Sequence, residues 1–261
     1  MGLFFNHTSS AAVRLRLVSI AIGAIVNAWA IPLRAEECII LDNFSSSTPN
    51  SFPKEWKPRE EAGKNVYVVS KEGDMSFVRA TAKGSRSDGN GIEADRSVTW
   101  NIQEYPILRW KWRPRVLPRG ANEDSGKDDS ALGVYIGFCP PEDVALCERS
   151  IKGQLSLSDR IMLPKLLLNK GAGSLKYIWS GQLAKGLEFE KSRKAVKVLE
   201  SGAPTNREAW VEERVDVRSD YRRRFGVQTV LNPVGISILT DSDDTQSVAE
   251  GDYADFKLCR D

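Results

Sequence analysis

Residues 107–113 read ILRWKWR, and the alternation is unbroken: in an extended chain Leu108, Trp110 and Trp112 share one side while Arg109, Lys111 and Arg113 share the other. Ten further short segments carry the same two-residue period or a brief apolar run, and Gly, Pro, Asn or Asp separates each from the next. They are CIILDNF (38–44), VYVVS (66–70), MSFVRATA (75–82), GIEADR (91–96), LGVYIGFC (132–139), LKYIWS (175–180), AVKVLE (195–200), AWVEERVDV (209–217), VGISILT (234–240) and YADFKLC (253–259). Only SDYRRRFG (219–226) reads as a helix, with Ser219 as N-cap and Gly226 as stop. Such a chain can bury its apolar sides only by stacking sheets. The expected fold is all-β, an antiparallel β-sandwich of jelly-roll type with one short helix.

Neither an internal repeat nor a long linker interrupts these segments, so residues 36–261 are expected to form a single domain. One long loop insertion, residues 140–174, contains RIMLPKLLL. It either packs over an open edge of the sandwich or forms a lid over a groove. Residues 1–35 read as a secretory signal: Arg14 and Arg16 precede an apolar run, and small-residue exits follow before Glu36. A retained anchor is the lesser reading, and no stable membrane span is expected after cleavage. The expected location is periplasmic or secreted.

Removal of that signal would take away Arg14, Arg16 and Arg34 and no acid, leaving 34 basic against 35 acidic residues. A near-neutral chain gives no electrostatic case for nucleic acid. The sole histidine, His7, also lies in the signal. Its loss excludes Ser-His-Asp and Cys-His nucleophiles, histidine acid–base catalysis and imidazole metal sites. The four cysteines fit an oxidising compartment. Cys139 and Cys147 flank a short loop and pair most simply with each other. Cys38 and Cys259 then remain, and their pairing would make the first and last strands neighbours.

The row Arg109, Lys111, Arg113 is either a solvated surface or the floor of a groove. On LGVYIGF and VGISIL the apolar sets leave Gly133, Tyr135 and Gly137, and Gly235, Ser237 and Leu239, on the opposite sides. If those strands lay beside 107–113, the glycines would leave space over the cations. Trp210, Glu212, Arg214 and Asp216 fall together on another strand. The plain reading is an exposed cross-strand ion-pair ladder, each pair contributing about 0–1 kcal/mol. The functional reading is a groove with a mixed-charge floor, edged by Tyr135, Trp179 and Trp210 and with Asp128 and Asp241 as further candidate ligand contacts, suited to a saccharide or small anionic ligand. On that reading Arg109→Ala or Arg113→Ala would weaken binding and change stability by less than about 1 kcal/mol. The stretch TDSDDT concentrates Asp241, Asp243 and Asp244 after a strand. An Asx-rich turn is favoured over a calcium site there, and no other cofactor is expected.

The stretches YPILRWKWRPRVLPRGANEDSGKDDSALGVYIGF, LKYIWS, WVEERVDVRSDYRRRFG, VGISILTDSDDT and YADFKL resemble, in that order, the uncharacterised bacterial family known as domain of unknown function 3047. The likeness spans roughly residues 38–259 and implies an exported, single β-sandwich domain. LDNF and YADFKL show a weaker likeness to the terminal strands of galactose-binding jelly rolls. The functional expectation is a binding module for a saccharide or anionic polyhydroxylated ligand on a polar concave face. The alternatives are a histidine-free glycan hydrolase or lyase on that face, using carboxylate or tyrosine chemistry, and a structural component of an envelope complex.

Overall fold

Each alternating segment becomes a strand in the computed structural model, which describes residues 36–85, 93–151, 170–191, 194–226 and 229–261. The expected signal, the RIMLPKLLL stretch and the first residues of GIEADR lie outside the described residues. The strands are β1 (Cys38–Asp42), β2 (Lys57–Pro58), β3 (Tyr67–Glu72), β4 (Met75–Ala82), β5 (Ala94–Ser97), β6 (Ile107–Val116), β7 (Leu132–Phe138), β8 (Gly173–Ser180), β9 (Glu188–Lys191), β10 (Lys194–Ser201), β11 (Val211–Asp216), β12 (Pro233–Leu239) and β13 (Ala249–Cys259). The first sheet runs β11-β6-β13-β4-β3, with β1 alongside the end of β13. The second runs β2-β5-β12-β7-β8-β10-β9. Residues Glu36–Asp261 form one compact unit.

The expectation of a wholly antiparallel sandwich needs one correction: β8 and β10 are parallel. After β8 the chain swings out to make the edge strand β9, then turns back as an antiparallel hairpin, which brings β10 in beside β8 with the same direction. The short strands β2 and β9 carry no apolar run and gave no sequence signal.

The inward sides meet as aromatic packing. Trp110 stacks at 12° on Phe256, meets Trp112 edge-on at 5.2 Å, and reaches across to Tyr177 of the second sheet at 5.9 Å. Trp112 meets Trp179 across the same gap at 6.0 Å. All are buried, together with Leu108, Val134, Ile136, Ile236, Ile238 and Leu258. The two sheets approach closely at Gly251 of β13, where a Cβ would lie 2.4 Å from Leu132 Cδ2 and 2.8 Å from the Ala131 carbonyl oxygen.

Among the described residues two short helices flank the sandwich rather than one. The unforeseen α1 (Val144–Ile151) opens the 140–174 connection, so the described start of that insertion is helical. The expected helix is α2 (Val217–Phe225). Its N-cap is Asp216 rather than Ser219, because the Asp216 carboxylate accepts from the Ser219 backbone N–H at 2.8 Å. Gly226 ends it at φ 60°, a left-handed cap that favours glycine. Tyr221 and Phe225 then cover Phe138.

Both disulfides pair as expected. Cys38 and Cys259 sit opposite each other in the β1–β13 register with Cα atoms 4.0 Å apart, and Cys139 bridges to Cys147 at 6.3 Å, tying β7 to α1. Two bridges fit a compartment outside the reducing cytoplasm. Among the described residues no helix is long and apolar enough to cross a membrane.

Candidate functional site

The residues proposed from the sequence fall on two opposite faces. Because Trp110 and Trp112 face inward, Arg109, Lys111 and Arg113 stand on the outer side of the first sheet. The glycine-bearing strands β7 and β12 belong to the second sheet, so they do not flank this row and leave no space over it. Arg109 pairs with Glu36 and Glu212, Arg214 with Glu36, and Lys111 with Asp255. This is the ion-pair ladder of the plain reading. Arg113 is different, with a side chain only 2 % exposed. It donates to Asp252 at 2.8 Å, Glu72 at 2.6 Å and the Glu208 carbonyl at 2.9 Å, and its guanidinium lies 4.2 Å from the Trp210 ring centre. Trp210 therefore seals Arg113. Trp179 belongs to the core, its indole N–H donating to the Gly202 carbonyl at 2.8 Å.

Tyr135, Asp128 and Asp241 gather instead at the outer face of the second sheet. Register pairs Tyr135 on β7 with Lys176 on β8 and with Ser237 on β12. Leu175 and Tyr177 point into the core, which turns Lys176 outward. Gly133 lies under both: a Cβ there would be in ordinary contact with the Tyr135 ring at 3.4 Å and the Lys176 stem at 3.8 Å, and tightest against the Leu239 carbonyl oxygen at 3.3 Å. The Nζ atoms of Lys176 and Lys194 lie 5.3 and 4.9 Å from the Tyr135 ring centre.

These groups are buried without being fully paired. The Tyr135 hydroxyl has no hydrogen-bond partner among the described residues, and neither does Oε1 of Glu123, whose other oxygen accepts from Ser180 at 2.7 Å. Lys176 is 5 % exposed, and no hydrogen bond to its ammonium occurs among the described residues. Burial, aided by the neighbouring charge of Lys194, brings its pKa down to about 8. Burial also pushes Asp241 up to about 8, with the Asp243 carboxyl adding to the shift. Tyr135 is raised by burial and then by the fields of Asp241 and Asp128. Perturbed groups in one cluster are a physical mark of a functional site.

The aspartate loops sit beside this cluster. Carboxylate oxygens of Asp129, Asp243 and Asp244 lie within 4.8 Å of one another, so the set able to hold a cation contains Asp129 in place of Asp241. Asp129 already serves the loop structurally, accepting from the backbone N–H groups of Asp244 at 3.2 Å and Thr245 at 2.7 Å. Asp128 pairs with Lys191 at 3.2 Å, and its hydrogen bond to Asp244 pushes the latter up to about 6. A further acidic set, Glu36 with Cys38 and Cys259, offers no thiolate because both sulfurs are in a disulfide.

Sequence reasoning missed Lys176, Lys194 and Glu123. In LKYIWS the apolar set Leu175, Tyr177, Trp179 already turns Lys176 outward. What the sequence withheld was the pairing of that strand with β7.

None of the curated proteins compared with the chain matches it. The family described as "Protein of unknown function (DUF3047)" matches residues 54–257, most of the chain and nearly the whole sandwich. The protein belongs to that family.

Proposed function

We propose that this protein is an exported, periplasmic or secreted binding module, and that it holds a polyhydroxylated anionic ligand, a saccharide acid, on the outer face of the second sheet. One observation carries the reading: among the described residues, a buried tyrosine hydroxyl without a partner belongs to a ring whose centre lies 5.3 Å from the ammonium of Lys176, a residue only 5 % exposed. A buried polar group left unmade costs about 1–3 kcal/mol, so such a pair is understandable where a ligand supplies the acceptors. A carboxylate meets the Lys176 ammonium, and hydroxyls meet Tyr135, Ser237 and the second oxygen of Glu123. Half-buried Gly137 and Gly235 carry no side chain to block the approach.

The test is calorimetric titration of a panel of uronic acids and their oligomers. Tyr135→Phe and Lys176→Gln are each expected to weaken binding roughly ten- to a hundred-fold, as loss of a charge-assisted contact does. Unchanged affinity in both variants, or no anionic saccharide bound by the wild type, overturns the reading. The Lys176 ammonium 5.3 Å from the Tyr135 ring centre favours one second reading, a lyase in which one of these two groups removes a proton and the other supplies one. Release of unsaturated sugar from a polyuronate by the wild type, and none by Lys176→Gln, would select it.

A further inference from the structure

We propose that Lys176 is a nucleophile whose amine forms an imine with the carbonyl of a polyhydroxylated 2-oxo acid held on the outer face of the second sheet. The inference rests on the site proposed above and adds covalent chemistry to it.

A purely structural lysine in this position would close an ion pair, as buried ammonium groups ordinarily do, and carboxylates are at hand. Yet Asp128 is bound to Lys191 and Glu93 to Arg59, while Glu123 accepts from Ser180 and Asp241 contacts Asp243. Among the described residues, the Lys176 ammonium faces the Tyr135 ring, which also meets the ammonium of Lys194, itself paired with Glu93 at 3.9 Å, and the field of that second cation acts on Lys176. Desolvation together with a neighbouring cation is the setting that turns a lysine into a carbonyl nucleophile, since both favour the neutral amine. The strand around Lys176 is firmly placed, with β7 on one side and β10 on the other.

The remaining groups suit the rest of the reaction. The Tyr135 hydroxyl, without a partner among the described residues and on the ring that the Lys176 amine faces, can donate to the carboxylate of a 2-oxo acid. Ser237 and Ser174, the strand partners of Tyr135 and Gly137, offer hydroxyls to a sugar chain. The Lys176 nitrogen attacks the carbonyl carbon, forming a C–N bond, while the carbonyl oxygen takes a proton to give a carbinolamine. The proton that the attacking nitrogen sheds can pass to that oxygen. A second protonation of that oxygen lets it leave as water, and the nitrogen gives up a proton. Amine and ketone become imine and water with no change of oxidation state. Asp128, Glu123, Asp241 and Lys194 are the charged groups whose fields act on this amine.

The experiment uses the whole folded chain with pyruvate as probe, cyanoborohydride to reduce any imine, and peptide mass spectrometry to locate the N-carboxyethyl adduct. Lys176 is expected to label roughly ten times faster than exposed Lys54 and Lys57, a preference that disappears in urea. Tyr135→Phe should slow that labelling. Lys176 reacting no faster than Lys54, in a protein that still binds glucuronate by calorimetry, sinks the imine and leaves the binding site standing. Absence of both labelling and glucuronate binding sinks the two together.

Discussion

Arg113 and Lys176 are both buried cations on outer sheet faces, yet one is saturated with partners and the other is not. Arg113 has two carboxylates, a carbonyl and an aromatic lid, so its role is structural. Its removal leaves fully buried Asp252 with Arg79 alone. We therefore expect Arg113→Ala to cost about 1–3 kcal/mol in urea unfolding, the usual result of removing a hydrogen-bonded partner from a buried charge that keeps a second one. A change under about 1 kcal/mol, the expectation from alternation alone, would show that Arg79 suffices. Alternation sorted these residues correctly by side: Trp110 and Trp112 went inward and the cations outward. It could not distinguish an outward residue in water from one under a neighbour's ring, because Trp210 and Phe77 arrive from other parts of the chain.

At the scale of elements, strand identity was legible and strand adjacency was not. β4 spans the residues read as MSFVRATA, and the other apolar segments shift by a few residues. Their partners depend on long-range packing that no local pattern encodes, so the condition that β7 and β12 lie beside β6 could be posed but not decided, and they lie in the opposite sheet. The site migrated with them: Tyr135 found Lys176 instead of Arg109. The contact between sheets at β13 and β7 gives this scale its test. Gly251→Ala forces a methyl group against the Ala131 carbonyl, a backbone atom that cannot turn aside. Overpacking of that kind costs about 1–3 kcal/mol, and thermal unfolding should show it. An unchanged midpoint would mean that the sheets can separate there freely.

For the molecule as a whole, the shifted acids dictate an unusual pH profile. Asp241, Glu213 and Asp244 are raised to about 8, 7 and 6, so between about pH 4 and 8 the folded state keeps protons that the unfolded chain has lost. Stability must fall across that window. Lys176 acts in the opposite sense at higher pH. Between about pH 8 and 10 the unfolded chain binds the extra proton, so stability recovers until the tyrosines that burial raises above 10 begin to oppose it. A minimum in the thermal midpoint near pH 8 is expected, with the alkaline recovery reduced in Lys176→Met. A midpoint that climbs steadily from pH 5 to 8 would contradict the assignment.

The pairing of β1 with β13 also imposes an order on assembly. A chain synthesised or threaded across a membrane from its N-terminus presents β1 first, yet among the described residues the ladder partner of β1 is the last strand. That same last strand is the interior neighbour of β6 and β4. Three strands therefore wait, edges open, until residues 249–259 arrive. Non-local β-sandwiches of this kind fold in about milliseconds to seconds, during which the waiting edges are available to a chaperone or to another copy of the chain. The Cys38–Cys259 bridge then acts as a latch that closes only on a chain delivered to its final strand.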